Sequence, residues 1–104
     1  MNITEHLLTT LGEEGAEVSQ GASKCLRFGV NDVYPSASKN PDNKTSRERL
    51  ICEVNELIAV AEILETHGVF PPNWMSRDII NAKKLKVIAM MQYAKDCGTL
   101  EKKP

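Results

Sequence analysis

Apolar residues recur along this chain at helical rather than strand spacing. From about Asn2 to Phe28 they fall at Ile3, Leu7, Leu11, Val18, Cys25 and Phe28, a rhythm that lines one face of an α-helix. Asn2 followed by Glu5 has capping-box spacing, and Gly29 is a C-terminal stop. Gly12, Gly15 and Gly21 interrupt the segment, each less favourable in a helix than alanine by about 1 kcal/mol. They imply a close packing point, room for a ligand, or a break into two helices. A second segment, about Ser46 to His67, carries its stripe at Leu50, Val54, Leu57, Ile58, Ala61 and Leu64. Thr45 and Glu48 have capping-box spacing there, and Gly68 stops the helix. Ser76, with Asp78 in the first turn, opens a third helix that runs to about Cys97 and stops at Gly98.

The connections read as irregular. Residues 30–45 (VNDVYPSASKNPDNKT) are rich in Asn, Asp, Ser and Pro, and a loop of that length in a small domain is often functional. In the linker VFPPNWM, Pro71 and Pro72 forbid helix, and Phe70 and Trp74 are expected to plug one end of the bundle. Residues 98–104 form a polar tail. The expected fold is all-α: a bundle of three to four helices forming one domain over 1–104. So short a helical chain has little core of its own, so a homodimer or homotetramer is expected to complete it.

Composition narrows the function. Of 104 residues, 41% are hydrophobic and 26% charged, with a net charge of −1. No basic excess points to nucleic acid or an anionic membrane. No apolar run approaches the length of a membrane span, and the first residues lack the pattern of a signal peptide. Three cysteines, Cys25, Cys52 and Cys97, with no CxxC pair, fit free thiols in a reducing cytoplasm.

The acidic residues change the picture most. With Glu14 as reference on the first helix, Leu7, Val18 and Cys25 lie within about 40° of it and Glu17 about 60° to one side. With Glu53 as reference on the second, Val60 and Leu64 lie within about 20°, and Glu56 about 60° to the side. Each helix thus places one glutamate inside its apolar stripe and a second at the edge. A pair of glutamates three residues apart is ordinarily a solvated face. Two pairs that both intrude into apolar stripes call for compensation, because buried carboxylates are costly and repel one another. Oxygen-only ligands favour magnesium, manganese or calcium, and helix bundles build such sites from inward-facing glutamates. Lys24, Arg27 or Arg49 could instead neutralise the glutamates as buried ion pairs.

EEGAE (Glu13, Glu14, Glu17) followed by EVNE (Glu53, Glu56) resembles the EExxE…ExxD signature of the all-α nucleoside triphosphate pyrophosphohydrolases. That family includes MazG-type enzymes, dCTP pyrophosphatases and dimeric dUTPases. GEEGAEVSQGASKCLRFG and RLICEVNELIAVAEIL look most like small MazG-like proteins encoded by bacteriophages, which would place the chain in the host cytoplasm. The resemblance covers roughly residues 7–66. Glu56 stands where the family usually has aspartate, and the spacer from Glu17 to Glu53 is longer than in typical members.

The resemblance implies magnesium-dependent hydrolysis of a (deoxy)nucleoside triphosphate to the monophosphate and pyrophosphate, with manganese as the substitute ion. It makes Glu14, Glu17, Glu53 and Glu56 the metal ligands, the first three also catalytic, with Glu13 or Glu17 orienting the attacking water. Lys24 and Arg27 are candidates for phosphate contacts, and Lys83, Lys84 and Lys86 for contacts across a subunit interface. The competing expectations are a nucleotide-sequestering protein without turnover and a helical interaction module without a ligand.

Overall fold

A computed structural model describes residues 1–34 and 40–102. Positions 35–39 of the expected loop and 103–104 of the expected tail lie outside the described residues. Three helices occur in order: α1 (Ile3–Phe28), α2 (Ser46–Thr66) and α3 (Arg77–Asp96). The chain divides into two compact units, Met1–Pro71 and Pro72–Pro104.

In the first unit α1 packs against α2. Both open with the capping boxes expected from sequence. Asn2 Oδ1 accepts from Glu5 N at 2.8 Å while Glu5 Oε1 accepts from Asn2 N. Thr45 and Glu48 make the same reciprocal pair. α1 ends at Gly29, whose φ of 96° suits glycine and whose N–H reaches Cys25 O. After α2, the N–H groups of Val69 and Phe70 both turn back to Leu64 O. This brings Val69 and Phe70 onto a core of Leu7, Val60 and Leu64, with Leu11 beside them. Phe70 thereby fills the role foreseen for it at the end of the hairpin.

α1 is one unbroken helix of 26 residues, not two. Its three internal glycines play different parts. Gly12 and Gly15 face open space, whereas a Cβ on Gly21 would lie 3.2 Å from Leu50 Cδ1. Gly21 is therefore the close packing point, and burial of the α1 face against α2 outweighs the poor helix propensity of the other two.

The connection from α1 to α2 is more ordered than its composition suggests. Val33 and Thr45 form an antiparallel bridge, Ser46 N donates to Asp32 O at 2.8 Å, and Arg47 N donates to Val30 O at 3.0 Å. Asn40, only 1% exposed, ties the segment together. Its Nδ2 donates to Tyr34 O and Lys44 O, while its Oδ1 accepts from Lys44 N and Arg49 Nη1. An asparagine side chain mimics a peptide group and so replaces the ladder that this segment lacks. Asn43 adopts φ 54°, a conformation asparagine tolerates better than most residues.

In the second unit Ser76 Oγ accepts from Ile79 N to cap α3. The helix ends at Asp96, with Cys97 as its cap and Gly98 at φ 78°. No residue of α3 is buried among those described. Ile80, Val87, Met91 and Ala94 line shallow apolar grooves along it, with Lys83 at their edge. Trp74 is partly buried. No helix among the described residues is long and apolar enough to cross a membrane, and all three cysteines are free.

Asn40→Ala leaves part-buried main-chain groups of Tyr34 and Lys44 without these partners, so it is expected to destabilise the first unit by about 2 kcal/mol. Urea unfolding of the variant measures this; a loss below about 0.5 kcal/mol, the scale of ordinary surface changes, would show that Asn40 does not hold the segment.

Candidate functional site

The α1–α2 packing sets which side chains stand level with one another. Leu7 clusters with Leu64, and Gly21 lies against Leu50; in both pairs the residue numbers add to 71. The helices therefore run antiparallel. The same register sets Glu14 level with position 57 and Glu17 level with position 54. Glu14, Glu17, Glu53 and Glu56 thus occupy one stretch of the hairpin, about one helical turn long.

Within that stretch the glutamates divide as their angular positions predict. Glu14 and Glu53 are half-buried, while Glu17 and Glu56 are exposed. One oxygen of each seam residue, Glu14 Oε2 and Glu53 Oε2, is buried with no hydrogen-bond partner. Such an orphaned carboxylate oxygen is rare in a folded protein and costs free energy until something covers it. Burial pushes the Glu53 carboxyl above its ordinary 4.5, and the charges of Glu17 and Glu56 push it further. Arg49 and Lys24 pull the other way but do not prevail. Neutralisation by buried ion pairs is therefore incomplete at Glu53. Arg49 Nη1 is held by Asn40 Oδ1, and the Arg27 guanidinium sits over the Phe28 ring at 4.9 Å.

Beside Glu53 opens a cleft of ≈ 280 Å³ lined by Gly21, Lys24, Arg27, Phe28, Asp32, Tyr34, Ser46, Arg49 and Glu53. Lys24 and Arg27, expected from sequence to contact a substrate, both line it. Arg49 lies one turn before Glu53 on the same face of α2, a spacing visible in the sequence. Asp32, Tyr34 and Ser46 had no such signal, because an irregular connection has no period from which to read its path. Asn55 Nδ2 donates to Ile51 O, and Asn55 is exposed. Lys83, Lys84 and Lys86 are exposed on α3 of the second unit. His6 and His67 are exposed at helix ends and have no part in the site.

The donor set fits a hard divalent cation. It offers carboxylate oxygen alone, two of those oxygens are orphaned, and like charges crowd Glu53. Among the described residues no three His, Cys, Asp or Glu side chains converge into a ready cage. Compared with known protein families, curated proteins and solved structures, the chain matches none.

The electrostatics of Glu53 give a test on the metal-free protein. Its folded state holds the proton more tightly than the unfolded chain does. The stability this contributes is complete below pH 4.5 and is lost as pH rises through the elevated value. Glu48 behaves in the opposite sense, because hydrogen bonds from Thr45 hold its carboxyl below 4.5. Comparing the wild type with Glu53→Gln cancels that contribution. In chelator-treated samples, the stability difference should move in favour of glutamine as pH rises from 4.5 toward neutrality. A difference that stays flat across that range would show Glu53 to be unstrained.

Proposed function

We propose that the chain is a magnesium-dependent nucleoside triphosphate pyrophosphohydrolase of the MazG-like type. The observation that carries this reading is the pair of orphaned carboxylate oxygens on Glu14 and Glu53, the second of which lines a cleft together with Lys24, Arg27 and Arg49. A simple phosphate binder needs cations and backbone amides, and four glutamates work against it. Acidic and basic walls side by side suit an anion that arrives together with a dication. The motif resemblance of EEGAE and EVNE adds the reaction class.

On this reading Glu14, Glu17, Glu53 and Glu56 hold magnesium, or manganese in its place. When bound, the ion offsets charge on the phosphate oxygens. Lys24, Arg27 and Arg49 contact the phosphate chain beside them and fix its path. Glu17, exposed and within electrostatic reach of Glu53, holds the attacking water and takes its proton. Water adds at the α-phosphorus, and the bond to the bridging oxygen breaks to release pyrophosphate. Three free thiols suit a reducing cytoplasm.

A panel of nucleoside triphosphates with magnesium, scored for pyrophosphate, tests the reaction. At least one should be turned over, and Glu53→Gln should lower that rate by about a hundredfold or more while the chain stays folded. Tight binding without pyrophosphate would make the chain a sequestering protein. No stabilisation of the fold by magnesium, with or without nucleotide, would remove the metal site altogether.

The reading also includes a homodimer or homotetramer, supported by an α3 with no buried residue among those described. Sedimentation of the full chain should give an even-numbered oligomer, and a monomer at tens of micromolar would overturn this part.

A further inference from the structure

The cleft is graded along its length. Glu53 stands at one end, and Ser46 lies seven residues earlier on α2, about 10 Å along the helix axis. Lys24 and Arg49 fall between them. Phe28, Asp32 and Tyr34 gather at the Ser46 end. The order from end to end is carboxylate, cation, then aromatic rings with Asp32 and with Arg27 over Phe28. The middle suits phosphate.

Two observations mark that far end as built for a flat, apolar group. Phe28 and Tyr34 are 50% and 44% exposed, yet both lie at the cleft rather than in a core. The Tyr34 ring and the Arg27 guanidinium over Phe28 suit a nucleobase, which stacks on aromatic and guanidinium planes. The backbone that carries the far-end groups is also fixed. Asp32 O accepts from Ser46 N and Ser46 Oγ, and Tyr34 O accepts from the buried Asn40. By contrast, the Asp32 carboxylate has no hydrogen bond among the described residues. An acceptor carried on a fixed backbone, lining the same cleft as two aromatic rings, suits a base edge.

Resting on the pyrophosphohydrolase reading above, we propose that Asp32 makes this end of the cleft selective for guanine. A carboxylate only accepts, and it accepts best from two parallel donors. Guanine presents two adjacent donors, N1–H and the N2 amino group. Adenine and cytosine each present one amino group beside a ring nitrogen that repels the carboxylate. Uracil and thymine present one N–H flanked by two carbonyl oxygens. Hypoxanthine keeps the guanine N1–H and lacks the amino group.

The test is binding with magnesium of α,β-methylene analogues of the guanosine, inosine, adenosine, cytidine and uridine triphosphates, followed by calorimetry. The guanosine analogue should bind more tightly than the inosine analogue by about 5- to 150-fold, the range of one bidentate base contact. Asp32→Asn supplies a donor where the carboxylate supplied none. It should lose the guanosine preference and gain affinity for the xanthosine analogue, whose O2 replaces the amino group. A structural role for Asp32 cannot produce that exchange. Equal affinity of the wild type for guanosine and inosine analogues, or an Asp32→Asn variant weakened alike for every base, overturns the assignment. Pyrophosphate release that ignores the base overturns guanine selectivity and leaves the enzyme reading standing. Failure to bind or turn over any nucleotide overturns both.

Discussion

Leu64 is fully buried against α1, and the site is laid out from that contact. Together with the approach of Leu50 to Gly21 it fixes the register of two antiparallel helices at points four turns apart. Between these points the hairpin has no freedom to slide, so the glutamates are held level whether or not their charges are content. The repulsion around Glu53 is a consequence of this packing. Apolar burial at both ends of the stretch holds together what electrostatics in the middle would push apart. On the proposed metal reading, the two helices need not be ordered by the metal itself. It also explains why the raised proton affinity of Glu53 can persist in the folded chain.

The cations beside the glutamates do not cancel them, and the reason is geometric. Arg49 is drawn toward Asn40, and Arg27 toward the Phe28 ring. Both guanidinium groups are held by neutral partners that leave their charge in place. Lys24 and Arg49 lower the proton affinity of Glu53, but less than burial and its acidic neighbours raise it. Charges of both signs therefore coexist in a cleft of ≈ 280 Å³. A structural salt-bridge network would have collapsed this separation, since a direct pair would satisfy the orphaned oxygen of Glu53. Keeping it open costs stability, and functional sites are where such costs are commonly carried.

Much of the hairpin was legible from periodicity. The stripes of α1 and α2, the two capping boxes and the glycine stops are local features, and each follows from neighbours within four residues. The division of the glutamates into seam and edge positions followed from the 100° turn alone. Gly12 and Gly15 misled because propensity is a weak term that burial of a long face overrides. The order in residues 30–34 and 40–45 could not be read, because it rests on a backbone bridge and on one asparagine, all reaching partners distant in sequence. No period announces such a residue. Its burial to 1% exposure is a tertiary outcome.

That asparagine links the connection to the chemistry. Asn40 touches Tyr34 O on one side and Arg49 Nη1 on the other, so one buried amide braces both an aromatic wall of the cleft and one of its cations. The connection is therefore a structural part of the cleft, and lengthening it adds lining rather than slack. A short link between α1 and α2 would leave the glutamates and Lys24 in place, because helix packing alone sets them. It would remove Asp32 and Tyr34, and with them every non-helical group that the cleft presents. The division of labour follows: the packed helices fix where charge is handled, and the connection fixes the shape and polarity of what lies at the other end.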